Sequence, residues 1–175
     1  YSAELPSKDK SIIWIHAVSV GEVNASMSLL RSLITDYPYS EILVTTTTPT
    51  GSKLLIERLG NKIKHQYLPV DIPFFINSFL NKWNPKILIL LETEIWPNLY
   101  NSCEKNKTKI LIINARFNAP KGILRILSNK IYEQTLNAVD HVYCKSKKDE
   151  DGYLKYISPN KVSNLGTVSY THLRA

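Results

Sequence analysis

Short runs of apolar and β-branched residues alternate along the chain with segments in which apolar residues recur every three or four positions. The first pattern is typical of buried β-strands and the second of amphipathic helices. The runs predict seven strands, at residues 12–18, 41–47, 64–68, 86–91, 109–114, 141–144 and 162–165. The periodic segments predict helices at 23–36, 49–60, 72–83, 97–105, 123–138 and 147–157. Because strands and helices alternate throughout, we expect one α/β domain with a doubly wound parallel sheet.

Single residues indicate where elements begin and which way they face. We expect the carboxylate of Asp71 to N-cap the helix at 72–83. The strand at 86–91 is almost purely apolar, so we expect it at the centre of the sheet with both faces buried. In the helix at 123–138, the spacing turns four residues inward: Ile126, Leu127, Ile131 and Leu136.

The composition fits this fold and excludes several classes of protein. With 175 residues, 43% of them apolar and 21% charged, the chain is neither disordered nor collagen-like. Its two cysteines are too few for a disulfide scaffold or a zinc module and indicate reduced thiols. No apolar run approaches the roughly 20 residues that span a bilayer. The first residue is Tyr1 and not Met, so we expect any membrane anchor to precede this chain.

A net charge of +7 favours an anionic partner, such as phosphate, nucleic acid or an acidic membrane surface. The alternative is a solvated, lysine-rich surface. Since the lysines are scattered and not interleaved with aromatics on one face, we expect no nucleic-acid partner.

The usual cofactor motifs are missing from the sequence. It contains no G-x-G-x-x-G after the first strand and no G-x-x-x-x-G-K-[ST], which argues against a dinucleotide or P-loop site. It also contains no H-x-x-x-H or C-x-x-C pair and no G-x-S-x-G elbow. We therefore expect no metal and no resident cofactor.

In a parallel sheet, ligands bind beyond the carboxyl ends of the strands, and the first such loop contains Ser19, Gly21 and Glu22. Gly21 is expected to permit a tight turn and a close approach of the backbone to a ligand. Glu22 begins the next helix, where the helix dipole favours an ionised carboxylate that can accept a proton from a hydroxyl. The alternative is that Glu22 only satisfies amide groups at the helix start.

A second candidate cluster follows the apolar strand at 86–91. Glu92 and Glu94 lie two residues apart, so in an extended backbone they face the same way and repel each other. The cost of such a pair favours a functional site, although one carboxylate can instead cap the next helix while water solvates the other. Trp96 is either a platform for stacking a sugar or a core residue.

Three further positions have both a functional and a structural interpretation. Thr48 and Gly51 open the second helix and offer hydroxyl and amide groups to an anion or a sugar, or simply cap the helix. Arg116 can bind a phosphate or carboxylate, or pair with Glu92 or Glu94. His16 is most simply read as a core histidine whose hydrogen bonds are satisfied within the fold.

Together, these segments resemble the 3-deoxy-D-manno-octulosonic acid (Kdo) transferases, which add Kdo to lipid A precursors in lipopolysaccharide synthesis. The resemblance covers about residues 12–166 and rests on five strings in order: His-Ala-Val-Ser-Val-Gly-Glu (16–22), Thr-Thr-Thr-Thr-Pro-Thr-Gly (45–51), Leu-Pro-Val-Asp (68–71), Glu-Thr-Glu-Ile-Trp-Pro-Asn (92–98) and Asn-Ala-Arg (114–116). It implies a B-type glycosyltransferase fold of two Rossmann-like domains, with this chain as the N-terminal, acceptor-binding half.

The resemblance also implies an inverting transfer of Kdo from CMP-Kdo. Glu22 would be the general base, and Glu92 and Glu94 would belong to the active-site cleft. The acceptor would be bound near Ser19, Gly21, Thr48, Gly51 and Arg116. CMP-Kdo would bind a C-terminal donor domain that this chain lacks, so we expect the chain alone to be inactive.

For the domain limits, we expect residues 1–168 to form the acceptor domain and 169–175, which match nothing in that family, to be a tail of other origin. The resemblance places the enzyme at the cytoplasmic face of the bacterial inner membrane, whose anionic surface would attract the positive charge of the chain. A different hypothesis is a glycolipid- or membrane-surface-binding α/β module without catalysis.

Overall fold

The fold is given by a computed structural model, which describes residues 6–7, 9–118 and 125–166, apart from the side chains of 125–128. Its centre is a seven-stranded sheet in the order β3-β2-β1-β4-β5-β6-β7, with every neighbouring pair parallel. The strands are β1 (Ser11–His16), β2 (Ser40–Thr46), β3 (Lys64–Tyr67), β4 (Pro85–Leu91), β5 (Lys109–Ala115), β6 (His141–Cys144) and β7 (Val162–Asn164). All seven predicted strands and the doubly wound parallel sheet are confirmed.

Helices cover both faces of this sheet. They are α1 (Val20–Asp36), α2 (Pro49–Leu59), α3 (Pro73–Trp83), α4 (Pro97–Lys105), α5 (Arg125–Asn137) and α6 (Lys147–Tyr153). Buried residues of α1 and α2 pack with one side of the sheet, and those of α3, α4, α5 and α6 pack with the other. None of the helices in the described ranges is both long and apolar enough to cross a bilayer.

Strand β4 lies at the middle of the sheet, as its apolar sequence predicts. It pairs with β1 on one side and β5 on the other. Leu88 and Leu90 join the core under α3 and α4, while Ile89 and Leu91 join the core under α1 and α2. Successive side chains of a strand point to opposite faces, so a strand covered on both faces needs an unbroken apolar run.

The prediction that Asp71 caps α3 is wrong. Ile72 occupies the N-cap position of α3 without a side-chain hydrogen bond. Instead, the carboxylate of Asp71 accepts hydrogen bonds from the backbone N–H groups of Asn98 (3.2 Å) and Leu99 (2.7 Å) in the first turn of α4. The side chain of Trp96, the N-cap of α4, makes no capping hydrogen bond. The first amides of α4 are therefore satisfied by a residue from a distant loop.

The prediction for the inward face of α5 holds at Leu136 but is wrong at Ile131. Leu136 is fully buried, whereas Ile131 is 42% exposed. The helix packs through Tyr132 and Leu136, four residues apart, so its buried face is rotated by one position from the expected one. The side chains of Ile126 and Leu127 lie outside the described residues.

Candidate active site

The candidate residues gather at the carboxyl edge of the sheet. The loops after β1, β2, β4 and β5 all open at this edge, because the strands are parallel. Three contacts join these loops: Thr48 Oγ1 donates to Val18 O (3.2 Å), Glu94 Oε2 lies 3.2 Å from His16 Nε2, and Arg116 Nη2 lies 3.8 Å from Glu92 Oε1. The site is therefore one continuous surface assembled from four loops.

Glu22 is held by its own loop. Helix α1 begins at Val20, earlier than the predicted residue 23, so Glu22 is the third residue of its first turn. Ser19 is the N-cap, and its Oγ accepts from Glu22 N at 3.4 Å. In return, Glu22 Oε2 accepts from Val18 N (2.9 Å) and Oε1 accepts from Ser19 Oγ (3.2 Å). This reciprocal arrangement is a form of capping box, so the amide-satisfying alternative describes part of what Glu22 does.

Capping does not exhaust the bonding capacity of Glu22. Each carboxylate oxygen has room for about two hydrogen bonds and receives one here from the described residues. The side chain is only partly buried. Its carboxylate can therefore still meet a hydroxyl group that enters from solvent.

The helix dipole is one of several influences on Glu22, and burial acts against it. Burial raises the pKa of Glu22 above its ordinary value, and the negative charges of Glu94 and Glu92 raise it further. The hydrogen bonds from Val18 N–H and Ser19 offset only part of this rise. A raised pKa strengthens the carboxylate as a proton acceptor.

The two glycines of the site have different roles. Gly21 is exposed in the first turn of α1, has no left-handed φ, and an added Cβ would meet only Ser19 Oγ at 3.7 Å. The expected tight turn at Gly21 is therefore wrong. Gly51 is buried, and a Cβ there would lie 2.9 Å from Thr48 Oγ1, which caps α2 by accepting from Gly51 N. Gly51 thus serves the packing of α2.

Glu94 is held by residues from other elements and by its own loop. Its Oε2 accepts from Trp96 Nε1 at 2.8 Å and lies 3.2 Å from His16 Nε2. Tyr100 in α4 donates its hydroxyl to the backbone carbonyl of Glu94. Burial works to raise the pKa of Glu94, but the neighbouring His16 and Trp96 outweigh it and lower the pKa below its ordinary value.

The core interpretation of Trp96 holds for its ring, while the stacking of a sugar stays a prediction. Its ring packs against the main core, and its Nε1–H binds the carboxylate of Glu94. The hydrogen bond to Glu94 adds a positioning role that the sequence analysis did not predict.

Glu92 does not face the same way as Glu94. It adopts a left-handed backbone conformation with φ 58°, so the extended geometry expected for this pair is wrong. Its carboxylate forms a loose ion pair with Arg116, one of the pairings considered above, and both side chains are substantially exposed. Asn114, which precedes that arginine, is also left-handed with φ 53°. Such backbone conformations are uncommon for non-glycine residues and cluster at functional sites.

Several residues that shape the site escaped the sequence analysis. Tyr100 and Asp71 fix the backbone around Glu94 from α4 and from the loop after β3, and Thr45 lies behind His16. The available signal was the pair of strings at 68–71 and 92–98, whose joint presence is explained by the contact of Asp71 with α4. Among the described residues, no three His, Cys, Asp or Glu side chains converge as a metal site requires.

Two relatives of known identity are similar to this chain in sequence. The 3-deoxy-D-manno-octulosonic acid transferase of Haemophilus influenzae is 47% identical over 107 residues, which is 61% of this chain and 25% of the relative. The transferase of the same name from Rickettsia typhi is 29% identical over 163 residues, or 93% of this chain and 35% of the relative. The chain thus spans between a quarter and about a third of these two proteins.

A solved structure shares the fold. The glycosyltransferase from Rickettsia africae aligns with 91% of this chain and 43% of its own chain, with a TM-score of 0.61 and 17% identity. This likeness supports a Rossmann-like half of a B-type glycosyltransferase fold. The family described as 3-deoxy-D-manno-octulosonic-acid transferase (kdotransferase) matches residues 1–171. Since the match covers nearly all of the sequence, the chain belongs to the Kdo transferase family.

Proposed function

We propose that this chain is the acceptor-side domain of an inverting glycosyltransferase that moves Kdo from CMP-Kdo to a lipid A precursor. One observation carries the proposal: Glu22 and Glu94 lie close enough to interact at the mouth of a parallel sheet, and their pKa values are shifted in opposite directions. Carboxylates whose environments separate their pKa values are typical of acid–base sites.

The reaction needs one base from this half of the enzyme. A hydroxyl oxygen of the acceptor attacks the anomeric carbon of Kdo, the bond from that carbon to the phosphate oxygen breaks, and CMP leaves. Glu22 takes the hydroxyl proton, helped by its raised pKa. Attack from the side opposite the leaving group inverts the anomeric centre. Since a phosphate leaves as an anion, this step needs no second carboxylate to donate a proton.

Glu94 and Glu92 then have supporting roles in the same cleft. With its lowered pKa, Glu94 stays ionised and can accept a hydrogen bond from an acceptor hydroxyl. Its Oε1 makes no hydrogen bond with the described residues, so this oxygen is available to a substrate. Glu92 holds Arg116 until an anionic group of the acceptor replaces it.

The acceptor would contact the exposed starts of α1 and α2. Gly21 leaves the backbone of α1 open to a close approach, and Ser19 and Thr48 carry hydroxyls on the same edge. Arg116, about half exposed, would bind a phosphate of the acceptor. Gly51 would act indirectly, by letting α2 pack close enough to present Thr48.

A group of exposed apolar residues supports a lipid acceptor at a membrane. Four such residues lie between β3 and the second turn of α3: Val70, Ile72, Phe74 and Phe75. Clusters of large exposed apolar side chains typically mark contacts with proteins or membranes. Together with the net charge of +7, they favour an anionic bilayer as partner, and we place the enzyme at the cytoplasmic face of the inner membrane. CMP-Kdo would bind a donor domain beyond residue 168, and 169–175 would be a tail.

The test uses the full-length enzyme, CMP-Kdo and a lipid A precursor. Glu22→Gln keeps an acceptor oxygen for the helix cap but removes the base, so kcat should fall about 100- to 10,000-fold. Glu57→Gln on the exposed face of α2 is the matched control and should keep full activity. Undiminished transfer by Glu22→Gln would contradict the assignment of Glu22.

The exposed apolar residues also favour the alternative, a non-catalytic module that binds glycolipid or a membrane surface. This module predicts that Glu22→Gln changes neither transfer by the full-length protein nor binding to lipid vesicles. Loss of transfer with unchanged vesicle binding would exclude it.

A further inference from the structure

A chain of buried polar side chains runs between β1 and β2 toward the candidate site. Trp14 Nε1 donates to Thr45 Oγ1 at 2.8 Å, and Thr45 Oγ1 lies 2.8 Å from His16 Nδ1. The other ring nitrogen of His16, Nε2, lies 3.2 Å from Oε2 of Glu94. All three residues of the chain are at most 1% exposed, so the polar groups are sealed from water until Glu94.

The carboxylate of Glu94 decides which ring nitrogen of His16 carries a hydrogen. On the other side of the ring, Nδ1 lies 2.8 Å from Thr45 Oγ1 and 3.2 Å from the backbone carbonyl oxygen of Thr45, so it has a partner with or without a hydrogen of its own. A carboxylate can only accept, so a ring nitrogen this close to one must carry a hydrogen. Nε2 and Oε2 of Glu94 form a 3.2 Å contact that lacks the alignment of a full hydrogen bond.

The stability of the fold alone does not explain why these polar side chains are buried together. The other inward residues of β1, such as Ile12, Ile13 and Ile15, are apolar and need no partners. Burial of an imidazole whose Nε2 makes no aligned hydrogen bond with the described residues costs free energy. An apolar residue at position 16 would fill the space without this cost.

We propose that His16 is a positioning residue, which the Trp14–Thr45 chain orients so that its Nε2 holds the carboxylate of Glu94 in place at the mouth of the sheet. The proposal rests on the proposed function in one respect, that Glu94 belongs to the acceptor site. It assigns His16 no contact with substrate.

The surroundings of Glu94 show what this contact controls. The titratable groups that interact with it are His16 from β1, Glu22 from α1 and Tyr100 from α4, and Trp96 adds a neutral donor. His16 helps to lower the pKa of Glu94, and the resulting fixed negative charge helps to raise the pKa of Glu22. His16 therefore acts on the proposed base through Glu94.

The test compares two amide variants of the full-length enzyme. The amide nitrogen of His16→Gln reaches the place of Nε2, whereas that of His16→Asn reaches only the place of Nδ1. We expect His16→Asn to lower kcat by up to about 100-fold with little change in the acceptor KM. We expect His16→Gln to restore most of that loss. Circular dichroism on both variants confirms equal folding before the comparison.

A second readout does not depend on activity. In a ¹³C NMR titration of labelled glutamate carboxyls, His16→Asn should move the Glu94 titration to higher pH, and His16→Gln should leave it near the wild type. Unchanged titration and unchanged kcat in His16→Asn, or equal effects of both variants, would overturn the proposal. If instead Glu22→Gln keeps full transfer while the Glu94 titration moves as expected, the proposed base fails and the positioning by His16 stands.

Discussion

The loops after β1 and β4 each place a glutamate at the same edge of the sheet, but they hold it in opposite ways. Glu22 is bound by Val18 and Ser19, which lie within four residues of it. Glu94 accepts a hydrogen bond from Trp96 nearby and lies against His16, which belongs to another strand. The first pKa is raised and the second lowered. The local hydrogen bonds of Glu22 only partly offset the effect of burial on its pKa, whereas the contacts of Glu94 outweigh it.

The largest effect on stability is expected when the buried hydrogen bonds behind Glu94 are removed. Thr45→Val removes the acceptor of Trp14 Nε1, while His16 Nδ1 loses Oγ1 but keeps the backbone carbonyl oxygen of Thr45 at 3.2 Å. One unsatisfied buried donor and one lost contact should lower the free energy of unfolding by about 2 kcal/mol. The measurement is urea unfolding, with Thr47→Val at the exposed end of the same segment as control. If Thr45→Val lowers the free energy of unfolding no more than the control does, these buried hydrogen bonds do not stabilise the fold.

Removing each charge in turn should have unequal effects on stability. The pKa of Glu94 is lowered in the fold, so its charge stabilises the protein above the ordinary glutamate pKa, and this is lost as pH falls through the folded value. The pKa of Glu22 is raised, so its ionisation costs stability as pH rises through the folded value. At pH 7, Glu94→Gln should lose about 1.5 kcal/mol, and Glu22→Gln should lose nothing.

Unfolding measured from pH 3 to pH 7 checks this difference. The gap between the two variants should narrow toward the acid end, because the wild-type Glu94 carboxylate takes up its proton as pH falls toward its lowered pKa. A gap that stays constant across this range would mean that the charges are not its cause.

The distant support of the loop after β4 can be tested at Asp71. Asp71→Ala removes the acceptor for the first amides of α4 and should cost about 1 kcal/mol. Hydrogen exchange at the start of α4 should accelerate, while exchange at the start of α1 should not change. Asp36→Ala, at the exposed C-terminal end of α1, is the control. Uniform acceleration in both helices would contradict the separate support of the two loops.

The smallest effects are expected at the two glycines. Gly21→Ala adds a methyl group in open space within a helical turn and should stabilise the protein by about 0.5 kcal/mol. Gly51→Ala pushes its Cβ against the capping oxygen of Thr48 and should destabilise it by about 1 kcal/mol. Thermal unfolding gives both signs. If Gly21→Ala is stable yet slow in transfer, the loss comes from a blocked approach of the acceptor.

The same contrast explains how far the sequence could be read. The central strands β1, β4 and β5 were predictable because each is dominated by a compact run of apolar residues. The role of Asp71 was not predictable from the sequence. An Asp just before α3 looks the same whether its carboxylate caps α3 or accepts hydrogen bonds from α4. The site residues were singled out by their places after the strands, the family resemblance supplied their roles, and those roles stay predictions.

The bond from Asp71 to Asn98 has a practical consequence for protein engineering. It joins positions 27 residues apart in sequence, and the start of α4 has no cap of its own. A designer who transplants residues 92–98 into another Rossmann-like scaffold would transfer the two carboxylates but leave behind the group that anchors their helix. Residues 68–71 and 92–98 would have to be transplanted together for the grafted loop to keep its conformation.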